Sequence, residues 1–168
     1  MKRRIVVIRH AKSSWANPLQ SDYDRPLNDR GLHDAPIMGG RLKEKGIIPD
    51  LIVASSAKRA AQTARLIAAA IGYDVAKIEW QEKLYHCIAS IFVEVILTLD
   101  DSIKTVFIVA HNPGVSEFAN ESSARGIRID HLPTCGMAGI ELEAEHWYDY
   151  NNAERQVFLY DYPKNEHG

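Results

Sequence analysis

The sequence predicts an α/β fold of three layers, αβα, with a mainly parallel central sheet covered by helices on both faces. Two observations carry this: three short, wholly apolar runs rich in β-branched residues, and amphipathic helical periodicities between them. At 168 residues the chain is long enough to bury a sizeable core and short for two, so a single domain spanning 1–168 is expected.

Residues 5–8 (IVVI) are apolar without alternation, as in a strand buried on both faces, and 51–54 (LIVA) and 106–110 (VFIVA) read the same way. A helix is expected over about 34–45, ending at Gly46, with Pro36 tolerable only near its first turn. The clearest helical spacing places Ala60, Ala64, Ile67, Ala68 and Ile71 on one face, with Ser55 or Ser56 as cap and Gly72 as terminator. A third helix is expected over 88–99, one face lined by Ile88, Phe92, Val95, Ile96 and Leu99, before a turn at 100–102. Late strands are expected at 137–142 and 156–160.

A formal net charge of -2 gives no general attraction to nucleic acid or anionic lipid, so neither a nucleic acid nor a membrane is an expected partner. The charged start, 1–4, precedes only four apolar residues, far short of a signal-peptide core, and a cytoplasmic location is expected. Cys87 and Cys135 stand far apart with no zinc-ligand spacing and read as reduced, buried thiols. His33, His131, His146 and His167 likewise lack ligand spacing, and no metal or cofactor is expected. Trp80, Trp147, Tyr148, Tyr150, Tyr160 and Tyr162 read as packing residues, and Asp24-Arg25 as an ion pair tethering the long polar stretch 13–30.

Chemistry enters at the strand ends. IVVI runs into Arg9-His10, LIVA into Ser55-Ser56 with Arg59 a turn later, and VFIVA into His111-Asn112. In α/β sheets ligands bind beyond the carboxyl ends of the strands. Two arginines, two histidines and a helix N-terminus converging there make a local anion site, for which phosphate is the natural guest. Cations near a helix N-terminus oppose its dipole unless an anion is present, which favours a functional Arg59. Lys12, Ser13 and Asn112 are further phosphate-binding candidates, although an exposed loop lysine is an equally good reading of Lys12.

These segments, VIRHAKS at 7–13, SSAKRAAQTA at 55–64 and VAHNPG at 109–114, resemble the histidine phosphatase superfamily, whose signature is an Arg-His pair ending the first strand. The chain is most similar to the short SixA-type phosphohistidine phosphatases, through RPLNDRG at 25–31, Leu84-Tyr85, Pro133-Thr134 and Tyr162-Pro163-Lys164. The resemblance implies a phosphoglycerate mutase-like fold, with His10 as the phosphoryl-accepting nucleophile, Arg9, Arg59 and His111 on the phosphoryl oxygens, and no metal requirement.

Neutral imidazole is nucleophilic at pH 7 without a separate base, provided its Nδ1 proton is held elsewhere and Nε2 is free. Many ester-cleaving relatives carry an acidic residue where this chain has His86. An alkoxide leaving group, with a pKa of about 15.7, needs roughly 12 kcal/mol of help at pH 7, whereas a protonated phosphohistidine ring expels neutral imidazole, whose conjugate acid has a pKa of about 6.5. His86 thus favours phosphohistidine, borne by a phosphotransfer domain of a partner protein. The alternatives are a phosphatase or mutase for a small phosphorylated metabolite, with Glu82 or His86 as proton donor, and a silent phosphate- or phosphoprotein-binding module. No GxGxxG or GxxxxGK[ST] follows a strand, which disfavours a nucleotide-binding domain.

Overall fold

The computed structural model describes residues 1–122 and 128–165. Among these, six strands form one sheet in the order β3-β2-β4-β1-β5-β6: β1 (Lys2–Arg9), β2 (Leu51–Ala54), β3 (Glu79–Trp80), β4 (Thr105–Ala110), β5 (Met137–Glu143) and β6 (Arg155–Asp161). The first four are parallel; β5 and β6 run antiparallel, with a bulge at Gly139/Ile140. The helices are α1 (Asp29–Glu44), α2 (Lys58–Ile71), α3 (Ala89–Leu97) and α4 (Gly114–Glu121).

The three-layer αβα arrangement follows from the two-sided burial of the central strands. Alternate residues of β1 point to opposite faces. Val6 and Ile8 pack with Met38 and Leu42 of α1 and Ala60, Ala64 and Ile67 of α2, while Ile5 and Val7 join Phe92 and Ile96 of α3 and Val115 and Phe118 of α4. Phe92 and Phe118 stack with centroids 5.3 Å apart, tying α3 to α4. No described helix is long and apolar enough to cross a membrane.

Several expectations are corrected. α1 begins five residues earlier than its apolar pattern suggests, because Asn28 caps it, its side chain accepting from the Gly31 N–H at 2.9 Å; Pro36 therefore lies inside the helix. Neither Ser55 nor Ser56 caps α2, whose N-cap is Ala57, whereas Gly72 does end it in the left-handed conformation. Ile88 precedes α3 and is exposed, because the helix begins at Ala89. Helix α4 and strand β3 have no counterpart in the sequence reading. Trp80 and Tyr148 are exposed rather than core: the Arg65 guanidinium lies 4.8 Å from the Trp80 ring, and Tyr148 stacks on His146 at 4.7 Å. Trp147 and Tyr150 are buried, as are both free thiols. His33 and His131 are exposed, His146 bonds Asp101 at 2.7 Å, and His167 lies outside the described residues.

Candidate active site

The parallel strands β1, β2 and β4 end side by side, so the residues that follow them meet. The His10 N–H donates to the Ala110 carbonyl, and its own carbonyl accepts from Cys135, fixing the peptide that carries the ring. His10 and His111 are buried, with ring centroids 5.2 Å apart. Arg59, on the first turn of α2, is also buried. The motif around it has structural work to do: Thr63 Oγ1 accepts the Ala11 N–H at 2.9 Å and Gln62 Oε1 the Leu27 N–H at 2.7 Å, so α2 sets the path of the chain on both sides of the loop after β1.

His10 Nδ1 lies 2.7 Å from the Ala11 carbonyl oxygen. A carbonyl only accepts, so the proton resides on Nδ1 and Nε2 keeps its lone pair. Burial, opposed in part by that hydrogen bond and reinforced by Arg59, Arg9 and Arg25, lowers the His10 pKa to about 4, and burial with the nearby His10 and Arg59 lowers that of His111 to about 3. Both rings are neutral at pH 7. His111 Nε2 is 2.8 Å from Ser55 Oγ, which already accepts the Ala57 N–H at 3.2 Å. The Ser55 hydroxyl can donate its own proton to Nε2, the arrangement in which the proton of His111 sits on Nδ1.

The strongest sign of a ligand is what lacks a partner. Among the described residues, Arg9 Nε, Arg25 Nε, Arg59 Nε and His111 Nδ1 are buried at the site with no hydrogen-bonding partner. Unsatisfied buried donors each cost about 1–3 kcal/mol. Arg59, Arg9 and Arg25 all depress His10, and Arg59 depresses Arg9, so the charges are close enough to repel one another. Donors and charges gathered in this way suit an anion with several oxygens.

Arg9, His10, Arg59 and His111 are therefore brought together. The other candidates are placed differently. Asn112 is committed to structure: its Nδ2 donates to the Leu132 carbonyl, which also accepts from Arg9 Nη1, and its Oδ1 accepts from the Ser116 N–H and hydroxyl. The Ser13 hydroxyl accepts from Arg25. The Lys12 side chain is exposed and lines an adjoining cavity. Glu82 is exposed on a 3₁₀ turn, while His86, also exposed, lies against Tyr85 with the rings tilted and their centroids 3.9 Å apart, and is felt electrostatically by His111.

Sequence reasoning missed Asp22. The expected Asp24-Arg25 pair is replaced by Arg25 Nη2 on Asp22 Oδ1 at 3.1 Å, while Asp24 accepts from Ser21. The other Asp22 oxygen meets Arg59 Nη2 at 3.1 Å and the Tyr85 hydroxyl at 2.5 Å. Tyr85, then Arg25 and Arg59, hold its carboxyl well below the usual carboxylate range. Nothing in the spacing around Asp22 announces this, because its partners come from three separate segments; Arg25, a third arginine at the site, was legible only as part of the RPL segment.

Residues 5–85 match the model of the histidine phosphatase superfamily (branch 1). An uncharacterized protein of Mycobacterium tuberculosis is 33% identical over 150 residues, covering 84% of this chain and 90% of that protein. Among solved structures, SixA from Agrobacterium tumefaciens superposes with a TM-score of 0.77 at 25% identity, over 96% of this chain and 98% of that one. The protein histidine phosphatase SixA complexed with tungstate superposes with a TM-score of 0.80 at 19% identity, over 96% and 98%. The fold is thus the phosphoglycerate mutase-like one, and the chain belongs to the histidine phosphatase superfamily, with a SixA-like architecture.

Proposed function

We propose that this phosphatase hydrolyses phosphohistidine on a partner protein, through a phosphorylated His10. The reaction begins with His10 Nε2 attacking phosphorus while the substrate's P–N bond breaks and its imidazole leaves as a neutral ring. Charge spreads over three equatorial oxygens, where Arg9, Arg59 and His111 Nδ1 donate. Water then attacks the phosphorylated His10, inorganic phosphate leaves, and the free imidazole is regenerated.

The observation that carries the choice of substrate is the state of Asp22. It is the carboxylate that the site holds among its arginines, and it is kept ionised by Tyr85, Arg25 and Arg59, so it has no proton to give an alkoxide at neutral pH. Glu82 faces solvent, and His86 stands where ester-cleaving relatives place an acid. A leaving group that departs as neutral imidazole needs no such acid. To test the reading, purified protein is given a phosphohistidine-bearing phosphotransfer domain and a panel of phosphate monoesters. Preferential release of phosphate from the former supports it, and efficient ester hydrolysis with the phosphoprotein left intact overturns it.

Two further results are expected. Arg59→Ala should lower kcat/KM on the order of 100- to 1000-fold, the usual effect of deleting a charged transition-state donor. Arg59→Lys should recover only part of this, since an ammonium keeps the charge but not the fork that also engages Asp22. The acid limb of the kcat/KM profile, which reports the free enzyme, should lie near pH 4 rather than 6.5, because the buried His10 resists protonation. A limb at 6.5, measured with a substrate of known ionisation, would show that burial does not depress the nucleophile's ring. The same burial fixes the sign for stability: with folded values of about 4 and 3 against about 6.5 unfolded, the unfolded chain binds more protons, and stability is lost as pH falls from 6.5 through this range.

A further inference from the structure

Three segments that the catalytic reading leaves unused come together in one place: Arg30 at the start of α1, Pro133-Thr134 before β5, and Tyr162-Pro163-Lys164 after β6. With Lys12 and Asp34 they line a cavity of about 290 Å³. Lys12 is two residues from His10, so its Cα lies within about 7.6 Å of the nucleophile's. Thr134 precedes Cys135, whose N–H binds the His10 carbonyl. The cavity therefore lies beside the backbone segment that carries His10.

Its walls are held in place. Arg41 of α1 donates through Nη1 to Asp161 Oδ1 at 3.2 Å and to the Tyr162 carbonyl at 3.0 Å, and through Nη2 to the Pro163 carbonyl at 3.1 Å. Asp161 Oδ1 also accepts the Tyr162 N–H at 2.8 Å. The chain after β6 is thus clamped onto α1. On the opposite side, the first turn of α1 presses so closely on the loop after β1 that a Cβ on Gly31 would sit 2.2 Å from the Lys12 carbonyl oxygen. Lys12 and Arg30 are fixed side by side by that approach.

The charges in the cavity are unequal in availability. Arg30 Nε is engaged by both oxygens of the buried Asp34, at 3.2 and 3.3 Å, so that pair is neutral overall. Lys12 and Lys164 make no ion pair among the described residues, and they leave the cavity with two uncompensated ammonium groups. A phosphate-binding cavity favours arginines with no carboxylate on them, and the arginine that lines this cavity is already paired through Nε with Asp34. Two point charges above walls of Pro133, Pro163 and the Tyr162 ring suit instead a carboxylate on a short methylene stem.

We propose that this cavity is a second anion subsite that takes an aspartate or glutamate side chain of the protein bearing the phosphohistidine, and so selects substrates with an acidic residue beside the phosphorylated ring. The proposal rests on the phosphohistidine reading above and goes beyond it by naming what the enzyme reads around the phosphoryl group.

The test compares wild type with Lys164→Glu, an exposed position outside the catalytic group. The substrates are two phosphohistidine peptides differing only in a flanking Glu or Gln, free phosphohistidine, and a mono- and a bisphosphorylated ester of one alcohol. Wild type is expected to prefer the Glu peptide roughly five- to tenfold in kcat/KM at low ionic strength, with the preference shrinking in high salt. Lys164→Glu is expected to erase or reverse that preference while changing turnover of free phosphohistidine less than about twofold, since the ammonium lies outside the reacting shell. Equal rates on the two peptides in wild type, or an equal loss on all substrates in the variant, overturn the subsite. A preference for the bisphosphorylated ester with none for the Glu peptide overturns the acidic side chain as occupant and assigns the cavity to a second phosphate. Failure to hydrolyse either peptide, with ester hydrolysis intact, is distinct from these and overturns the phosphohistidine reading itself.

Discussion

Replacing His10 with alanine is expected to abolish turnover and any acid-labile phosphate on the enzyme, while inorganic phosphate still binds. The reason is a division of labour in the site. In the proposed mechanism Arg9, Arg59 and His111 supply donors to the oxygens and none of them a free lone pair toward phosphorus; that falls to His10, whose Nδ1 lies 2.7 Å from the Ala11 carbonyl and so keeps the proton there. Loss of a covalent nucleophile costs on the order of 10⁴- to 10⁶-fold in kcat. Binding should survive, since the unpartnered Nε atoms of Arg9, Arg25 and Arg59 remain. The checks are single-turnover labelling with a radioactive phosphodonor and calorimetric titration with phosphate. A variant that still accumulates acid-labile phosphate would move the nucleophile to another residue, and one that loses phosphate binding as well would show that His10 builds the pocket.

The second large effect concerns the other end of β1. Arg3 is fully buried, and its guanidinium donates to the carbonyls of Ala144, Asp101, Ile103 and Glu145 at 2.5–3.1 Å, with its carbon 5.1 Å from the Trp147 ring centroid. It closes the sheet by joining β1 to the turn before β4 and to the chain after β5. Arg3→Met fills much of the volume and leaves these carbonyls without their donor, although Ile103 keeps the Trp147 indole N–H at 2.7 Å. A loss of about 3–5 kcal/mol is expected, read as a lower urea midpoint at unchanged slope. The protein that remains folded should keep its kcat, because six steps of extended strand, about 20 Å, separate Arg3 from Arg9. A change of under about 1 kcal/mol would show that those carbonyls find water instead.

Arg3 also marks the limit of what the sequence conveys. The run 5–8 declared a strand, and the polar residues after three such runs declared the site, because buried parallel strands are apolar on both faces and their ends are the place where polarity must resume. Arg3, two residues before that run, reads as a solvated terminal charge; only the loops that fold over it make it core. The start of α1 was obscured for a related reason. Pro36 marks a helix start in isolation, yet the cap at Asn28 decides the matter through its bond to Gly31. Ile88 shows the reverse error, since its spacing fits a helical face that the chain does not extend far enough to use. Strands β5 and β6 were visible as runs, but their antiparallel pairing is set by contacts far apart in sequence. Within the site, His10, Arg9, Arg59 and His111 were legible because each ends or directly follows a strand or lies on the first turn of the next helix. Asp22 and the working role of Arg25 were not, because they sit in the long loop after β1 and acquire partners only when Tyr23 docks on Ser56 and Tyr85 approaches from beyond β3.

The unpartnered donors of the site have a consequence for the folded state as a whole. An anion that fills them binds the native chain and not the unfolded one, so phosphate at about a hundred times its dissociation constant adds about 2.7 kcal/mol to the stability of the fold. Phosphate is also what the reaction releases. In the proposed reaction, the molecule released at the end of each turnover is thus one that stabilises the folded chain.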